Sequence, residues 1–224
     1  MDTARTPHAV LHQVVHDLNN LLTCVLGFAR LAQRNDMSPH AKENLESVVD
    51  AVHSMQELTS DMLVYGELQE GTINVRQERL SLRECVDSAK STILIDPAMH
   101  IFECRVASIE VVADGHCVKR ILRNLIENAI KYSPSGGTVT VSARYCGGEY
   151  VQVDVEDEGI GIPRESTTRL FTPYFRGHAS QGNIPGTGLG LVVVKDLVER
   201  HGGRVWVEPR EGRGTKVAFT LPAV

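Results

Sequence analysis

The sequence has no apolar run approaching the ~18 residues that cross a bilayer as a helix, and its opening, MDTARTPHAV, has no apolar core of the kind a secretory leader needs. Its five cysteines (Cys24, Cys85, Cys104, Cys117, Cys146) form no CxxC pair and are odd in number. That argues against a zinc site and a disulfide framework and for free thiols in a reducing compartment, so the expected location is the cytoplasm. Neither sign of charge dominates: a net charge of −5 gives no general attraction to nucleic acid or to an anionic membrane. The phosphate-binding pattern GxxxxGKS/T is missing, as are internal repeats and low-complexity segments. Glycine is scarce where helices are expected. The first 70 residues hold only Gly27 and Gly66, whereas 15 of the 19 glycines follow residue 135. This shift places a boundary near Gly71 and divides the chain into residues 1–70 and 71–224. What is present, 42% hydrophobic and 23% charged residues, is ordinary for a globular protein.

In the first segment Leu11, Val14, Leu18, Leu21, Val25, Phe28 and Ala32 recur in steps of three and four, and Val15, Leu22, Leu26 and Ala29 widen the stripe. NDMSP (35–39) interrupts it, and Ser38-Pro39 opens a second helix whose stripe is Leu45, Val48, Val49, Val52, Met55, Leu58, Met62 and Leu63. An antiparallel hairpin follows, with stripes too wide for one partner helix, so a four-helix bundle formed by a homodimer through residues 1–70 is expected. Within the first helix, VVHDLNNLL (14–22) sets His16, Asp17, Asn19 and Asn20 amid apolar residues. At 100° per residue His16 lies roughly 160° from the stripe centre, with Asn20 about as far on the other side, so His16 is expected to face water rather than the core. A wet helix face and a site for proton and phosphoryl chemistry both fit these residues taken alone.

The second segment reads as strands in meander-like succession with few helices between them: TINVRQ, a helix capped by Ser81, then IFECRV and IEVVAD. A helix capped by Asp114 follows, then TVTVSARY, YVQVDVED, a glycine-rich stretch, another helix, RVWVEP and TKVAFTLP. An α/β sandwich with a mixed, largely antiparallel sheet accounts for this order. GTGLGL at a helix start exposes backbone N–H groups to anionic phosphates, though a GxGxG turn alone is weak. Asn124 and Asn128, four apart on a helix, form either a polar edge or a source of amide oxygen for Mg²⁺. Asp157, ahead of Gly159 and Gly161, either caps a turn or receives an adenine amine.

The ordered set RNLIENAIKYS, DEGIGIP, LFTPYFRG, GTGLGLVVVK and GRGTKVAFTLP resembles the ATP-binding domain of two-component sensor histidine kinases, within the Bergerat-fold ATPases, over residues 72–222. The hairpin before it resembles their dimerisation and phosphotransfer domain. The resemblance implies a fold of α-helical hairpin followed by a Bergerat-type α/β sandwich. It further implies ATP and Mg²⁺ as cofactors, with Asn128 as Mg²⁺ ligand beside Asn124, Lys131 toward phosphate and Tyr132 against the base. Asp157 would read adenine in a pocket shaped by Gly159 and Gly161. Phe171 and Phe175 match a phenylalanine box, Arg176 a phosphate-facing arginine, and Gly186, Gly188 and Gly190 a second glycine box. Leu189 and Thr215 complete the nucleotide set, and residues 176–187 match a lid in which His178 faces solvent.

The same resemblance makes His16 the phosphoacceptor, with Asp17 orienting the imidazole and taking its proton. Asn20 matches the side chain with which many relatives place a water to dephosphorylate their partner. The implied activity is an ATP-dependent histidine kinase that passes its phosphoryl group from His16 to an aspartate of a response-regulator receiver domain. Phosphatase action on that receiver, and a separate sensor protein as input, are further implications, with no membrane segment in the chain. The alternative is an ATP-switched dimeric regulatory ATPase without phosphotransfer. It is disfavoured because Asn124 stands where such enzymes carry a water-activating glutamate, and an amide is no base.

Overall fold

The computed structural model describes residues 7–33, 38–69, 74–175, 187–210 and 213–224. The chain separates into two compact units, essentially residues 1–73 and residues 74–184 with 188–224.

The first unit is a hairpin of α1 (Pro7–Ala32) and α2 (Pro39–Gln69). Ser38 opens α2 as its residue type suggests, its Oγ accepting from Ala41 N–H at 3.3 Å. The seam between the helices is not the stripe centre read from the sequence. It is formed by the residues that widen that stripe: Val15, Leu22, Leu26 and Ala29 are buried, with Val52 and the partly buried Val49 opposite. Leu18, Leu21, Val25 and Phe28 are exposed, Leu21 at 65% and Phe28 at 71%, and so are Val48, Met55, Leu58 and Met62 of α2. One apolar arc thus does two jobs. Its edge closes the hairpin, and its centre stays uncovered in the single chain.

The second unit is a five-stranded sheet with helices on one face, plus a two-stranded ribbon. In chain order its elements are β1 (Glu78–Ser81), α3 (Leu82–Ser91), β2 (His100–Arg105), β3 (Glu110–Ala113), α4 (Gly115–Lys131), β4 (Gly137–Cys146) and β5 (Tyr150–Glu156). A 3₁₀ turn (Arg164–Arg169), α5 (Gly190–Arg200), β6 (Val205–Pro209) and β7 (Thr215–Pro222) complete it. The sheet order is β2-β4-β5-β7-β6, antiparallel except for the parallel β2–β4 pair, which agrees with a mixed, largely antiparallel sheet. TINVRQ is not a strand in its described residues, 74–77: Arg76 spends its N–H on Asp114 Oδ2 at 3.0 Å, and the ribbon begins only at Glu78.

Alternation decides which face is covered. Val141, Val155 and Val217 lie in register, as do Val153 with Phe219 and Val151 with Leu221. This apolar face receives α4 through Val118, Ile121, Leu122, Leu125 and Ile126, and α5 through Val193, Val194, Leu197 and Val198. The opposite face carries a charged lattice around Asp154, only 2% exposed, which pairs with Arg144 at 2.7 Å and accepts from Gln152 Nε2 at 2.7 Å. Lys216 reaches Glu208 at 2.8 Å, and their hydrogen bond holds the Glu208 carboxyl below its usual range and the Lys216 ammonium above its own. Between the helices, Asp114 caps α4 with Oδ1 accepting from His116 and Cys117 N–H, while its own N–H donates to Nε2 of the buried His201. The start of α4 is thereby tied to the end of α5.

Candidate nucleotide site

Helix α4 carries Asn124 and Asn128 one turn apart and ends at Lys131 and Tyr132. Asn124 is 7% exposed, and its Nδ2 donates to the Gly190 carbonyl at 3.3 Å. Gly190 is the first residue of α5, so this amide fastens the GTGLGL turn to α4. Leu189, fully buried, anchors that turn from within and accepts from Val193 N–H at 2.9 Å. Gly188 accepts from Tyr174 N–H at 3.1 Å, and Tyr174 takes a φ of 62°, which is uncommon for a bulky residue. Asn128 is half-buried. Lys131 Nζ lies 5.8 Å from the centroid of the Tyr132 ring.

The C-terminal end of α4 meets the loop after β5. Gly159 runs against the Tyr132 carbonyl so closely that a Cβ would lie 2.1 Å from its oxygen, and Ile160 N–H donates to that carbonyl at 2.9 Å. No side chain fits there, which is the physical reason for glycine. Asp157, 6% exposed, accepts from Gly159 N–H at 2.8 Å and from Thr215 N–H at 3.1 Å, both on Oδ1. Burial pushes its carboxyl above the usual carboxylate range, against the two backbone donors and the Arg210 charge. Turn-capping is therefore a real role of Asp157. It occupies one carboxylate oxygen with backbone donors and is compatible with a ligand on the other.

Three residues around this turn were not singled out from the sequence. Arg210 donates to the Asp157 carbonyl at 2.8 Å, Arg213 Nε to the Gly159 carbonyl at 3.3 Å, and Gly214 passes so near Asp157 that a Cβ would sit 2.0 Å from its carbonyl oxygen. The run GRGTK carries their signal, a glycine directly before the strand that begins at Thr215, itself 5% exposed. His100 was missed as well: it is buried at the head of β2, with Nε2 3.0 Å from the Ser133 carbonyl, beside Tyr132.

Phe171 and Phe175 are half-buried, and the Arg169 guanidinium stacks 4.4 Å from the Phe175 ring centroid. Gly161 follows the turn with a φ of 75°. Arg176, His178, Gly186 and the lid segment through residue 186 lie outside the described residues. In the hairpin, His16 and Asp17 fall within α1, their side chains lying outside the described part, and Asn20 is exposed. Asn19 does not share the exposure of Asn20: it turns toward α2, with Oδ1 2.9 Å from Thr59 Oγ1. Among the described residues no group of three or more His, Cys, Asp or Glu side chains is placed to hold a metal, and no helix is long and apolar enough to cross a membrane.

The family model described as histidine kinase-, DNA gyrase B- and HSP90-like ATPase matches residues 113–224, and that of the His kinase A (phospho-acceptor) domain matches residues 9–71. Among curated proteins, the histidine protein kinase DivJ of Caulobacter vibrioides is 29% identical over 221 residues, covering 96% of this chain and 37% of the relative. The sensor protein KdpD of Escherichia coli is 32% identical over 221 residues, covering 96% of this chain and 24% of the relative. The chain thus spans a quarter to somewhat over a third of the length of these relatives. Among solved structures, full-length ShkA in complex with AMPPNP shares the fold with a TM-score of 0.72 at 24% identity, over 96% of this chain and 46% of that one. The mycobacterial sensor histidine kinase MprB gives a TM-score of 0.58 at 29% identity, over 66% of this chain and 97% of that one.

Proposed function

Because the chain belongs to the histidine kinase-, DNA gyrase B- and HSP90-like ATPase family and carries a His kinase A domain ahead of that ATPase, as the catalytic core of two-component kinases does, we propose that it is an autophosphorylating protein-histidine kinase. It transfers the γ-phosphoryl of ATP to His16 and from there to an aspartate of a response-regulator receiver domain. The observation that carries this reading is the convergence of separate motifs on α4. Asn124 holds the glycine turn at Gly190, and Gly159 and Ile160 close on Tyr132 beside Asp157. Nothing in core packing requires these glycine-rich turns to meet at one helix, whereas a nucleotide does.

In this reading the second oxygen of Asp157 accepts the adenine amine, Tyr132 lies against the base, and Gly161, Phe175 and Thr215 line the pocket. Lys131, Arg176 and the turn of Gly186, Gly188, Leu189 and Gly190 face phosphates. The donor set suits Mg²⁺: the ion prefers hard oxygen and keeps waters and phosphates in its shell, so one amide oxygen, that of Asn128, suffices where the described residues hold no acidic cluster. Bound there, it supplies charge neutralisation at the phosphates. At the hairpin, one imidazole nitrogen of His16 bonds to the phosphorus as the bond to ADP breaks, and the other nitrogen gives its proton to Asp17. In a separate, hydrolytic reaction Asn20 places a water against the receiver's acyl phosphate, and the bond to the aspartate breaks as inorganic phosphate is released.

The exposed row Leu18, Leu21, Val25 and Phe28 and its α2 counterpart are the faces that pair in a homodimer through residues 1–70. The reaction belongs to the cytoplasm, where ATP and free thiols coexist, and its input comes from another domain or a separate sensor protein. Incubation with γ-labelled ATP and Mg²⁺ is the test. The expected product is a phosphoramidate, stable in alkali and labile in acid, absent from His16→Ala. Wild-type incorporation by that variant refutes the assignment.

A further inference from the structure

The α1–α2 seam is apolar at Val15, Leu22, Leu26 and Ala29 against Val52, and a polar pair interrupts it. Asn19, half-buried, lies along the chain between Val15 and Leu22 at the edge of the buried face of α1. Its partner Thr59 is 4% exposed, with Oγ1 2.9 Å from Asn19 Oδ1 and 3.0 Å from the Gln56 carbonyl. A hydroxyl has one proton, so two acceptors share Thr59. Thr23 Oγ1 in turn donates to the Asn19 carbonyl at 2.8 Å, engaging the same turn of α1. Apolar residues at both positions would extend the seam without a break and bury more carbon. A polar pair in such a place weakens packing and excludes alternative registers, because sliding or turning α1 strands the amide and the hydroxyl against carbon.

The level of this pair is what gives it consequence. Asn19 follows His16 by three residues and adjoins the exposed Asn20, so the rotation that seats Asn19 on Thr59 also sets the direction in which the His16 turn faces. We infer that the Asn19–Thr59 pair is a positioning lock for the phosphotransfer turn, fixing the rotation of α1 at the level of the acceptor histidine. The inference rests on the reading of His16 as acceptor. Its leverage is geometric: a 20° rotation of a helix moves a side-chain tip ~5 Å from its axis by about 2 Å. In-line transfer needs reacting atoms within ~3–3.5 Å, and a 1 Å misplacement costs as much as ~100-fold in rate.

The test uses the full chain and three variants: Thr59→Val, which keeps the shape and removes the hydroxyl, Thr59→Ser, which keeps the hydroxyl, and the double variant Asn19→Leu/Thr59→Val. Label incorporation into His16 is followed at saturating and limiting ATP, with Tm by circular dichroism and amide hydrogen exchange of α1 measured without nucleotide. Thr59→Val is expected to lose roughly tenfold or more in kcat at unchanged KM for ATP, while Thr59→Ser stays within about twofold of wild type. The double variant is expected to melt higher than wild type while remaining slow. Exchange over residues 16–23 should quicken in Thr59→Val and not in Thr59→Ser. Wild-type kcat in Thr59→Val, or rates that follow Tm across the three variants, overturns the lock. If the wild-type chain itself takes up no label, the kinase reading fails. The exchange arm then still decides the lock, and unchanged exchange in Thr59→Val refutes it.

Discussion

Asp157 is the position where folding and ligand recognition can be separated by a single atom. Its Oδ1 accepts from Gly159 and Thr215 N–H, in a turn where the carboxylate is 6% exposed. Asp157→Ala orphans two buried donors. At ~1–3 kcal/mol each the loss is roughly 2–6 kcal/mol, a large share of the ~5–15 kcal/mol that holds a domain folded. Asp157→Asn keeps an oxygen for both donors and removes a buried charge, so its Tm should stay close to wild type. The amide nitrogen then stands where the second carboxylate oxygen was, and meets the adenine amine donor to donor. Loss of a charge-assisted hydrogen bond, ~1.5–3 kcal/mol, weakens ATP binding by about 10- to 150-fold. Thermal denaturation together with calorimetric titration of ATP distinguishes the two variants. Wild-type affinity in Asp157→Asn refutes base recognition, and wild-type Tm in Asp157→Ala refutes the hydrogen-bond accounting. The pH dependence has a definite sign. Burial raises the folded-state value, so the ionised carboxylate costs stability, and unliganded stability falls as pH rises from the ordinary carboxylate value through the raised one. ATP affinity moves the other way, since the ionised form accepts the amine, and it fades on acidification at a higher pH than an ordinary aspartate dictates.

Gly159→Ala forces a Cβ to 2.1 Å from the Tyr132 carbonyl oxygen, and the resulting shift should lower Tm and ATP affinity together, read by the same two assays. Asn128→Ala should leave binding of metal-free ATP near wild type and abolish the gain in affinity on adding Mg²⁺, measured by titration with and without the ion. Cys24 and Cys146 are exposed and should react promptly with a thiol reagent at neutral pH, whereas the buried Cys85 should react only on unfolding; the partly exposed Cys117 should react slowly, as desolvation and then the Asp114 charge push its thiol up to about 11. Leu21→Glu places a charge in the uncovered stripe of α1 and should yield monomers by light scattering, with the helical signal of the hairpin reduced rather than abolished.

Legibility in the sequence followed the number of residues that vote on a feature. The helices, and the strands from β4 to β7, repeat a period over enough positions to be read directly. TINVRQ alternates over a few residues, and one backbone hydrogen bond from Arg76 to Asp114 outweighs it. The apolar arc of α1 was legible as an arc. Its division between Val15, Leu22, Leu26 and Ala29 inside the hairpin and Leu18, Leu21, Val25 and Phe28 outside was not, because periodicity fixes which side of a helix is apolar and not which partner covers each edge. Asn19 sits at that edge. By residue type it belongs with His16, Asp17 and Asn20, yet the hydroxyl of Thr59, forty positions away, draws it inward.

The nucleotide motifs were readable for a related reason with a less obvious consequence. Asn124, Gly159 and Asp157 each hold another segment in place: Asn124 the start of α5, Gly159 the end of α4, Asp157 the strand that begins at Thr215. The glycine-rich turns contribute little apolar carbon of their own, so they depend on polar ties of this kind, and the ties must come from residue types that also suit a phosphate or a base. Structural and ligand-binding demands therefore fall on the same positions. Loss of activity on truncating Asn124, or on adding a Cβ at Gly159, combines a collapsed turn with a lost contact. Asn128, half-buried and one turn beyond Asn124 on the same helix, is the position least burdened by such ties, and its effect on Mg²⁺-dependent affinity at unchanged Tm carries the most weight for how this site works.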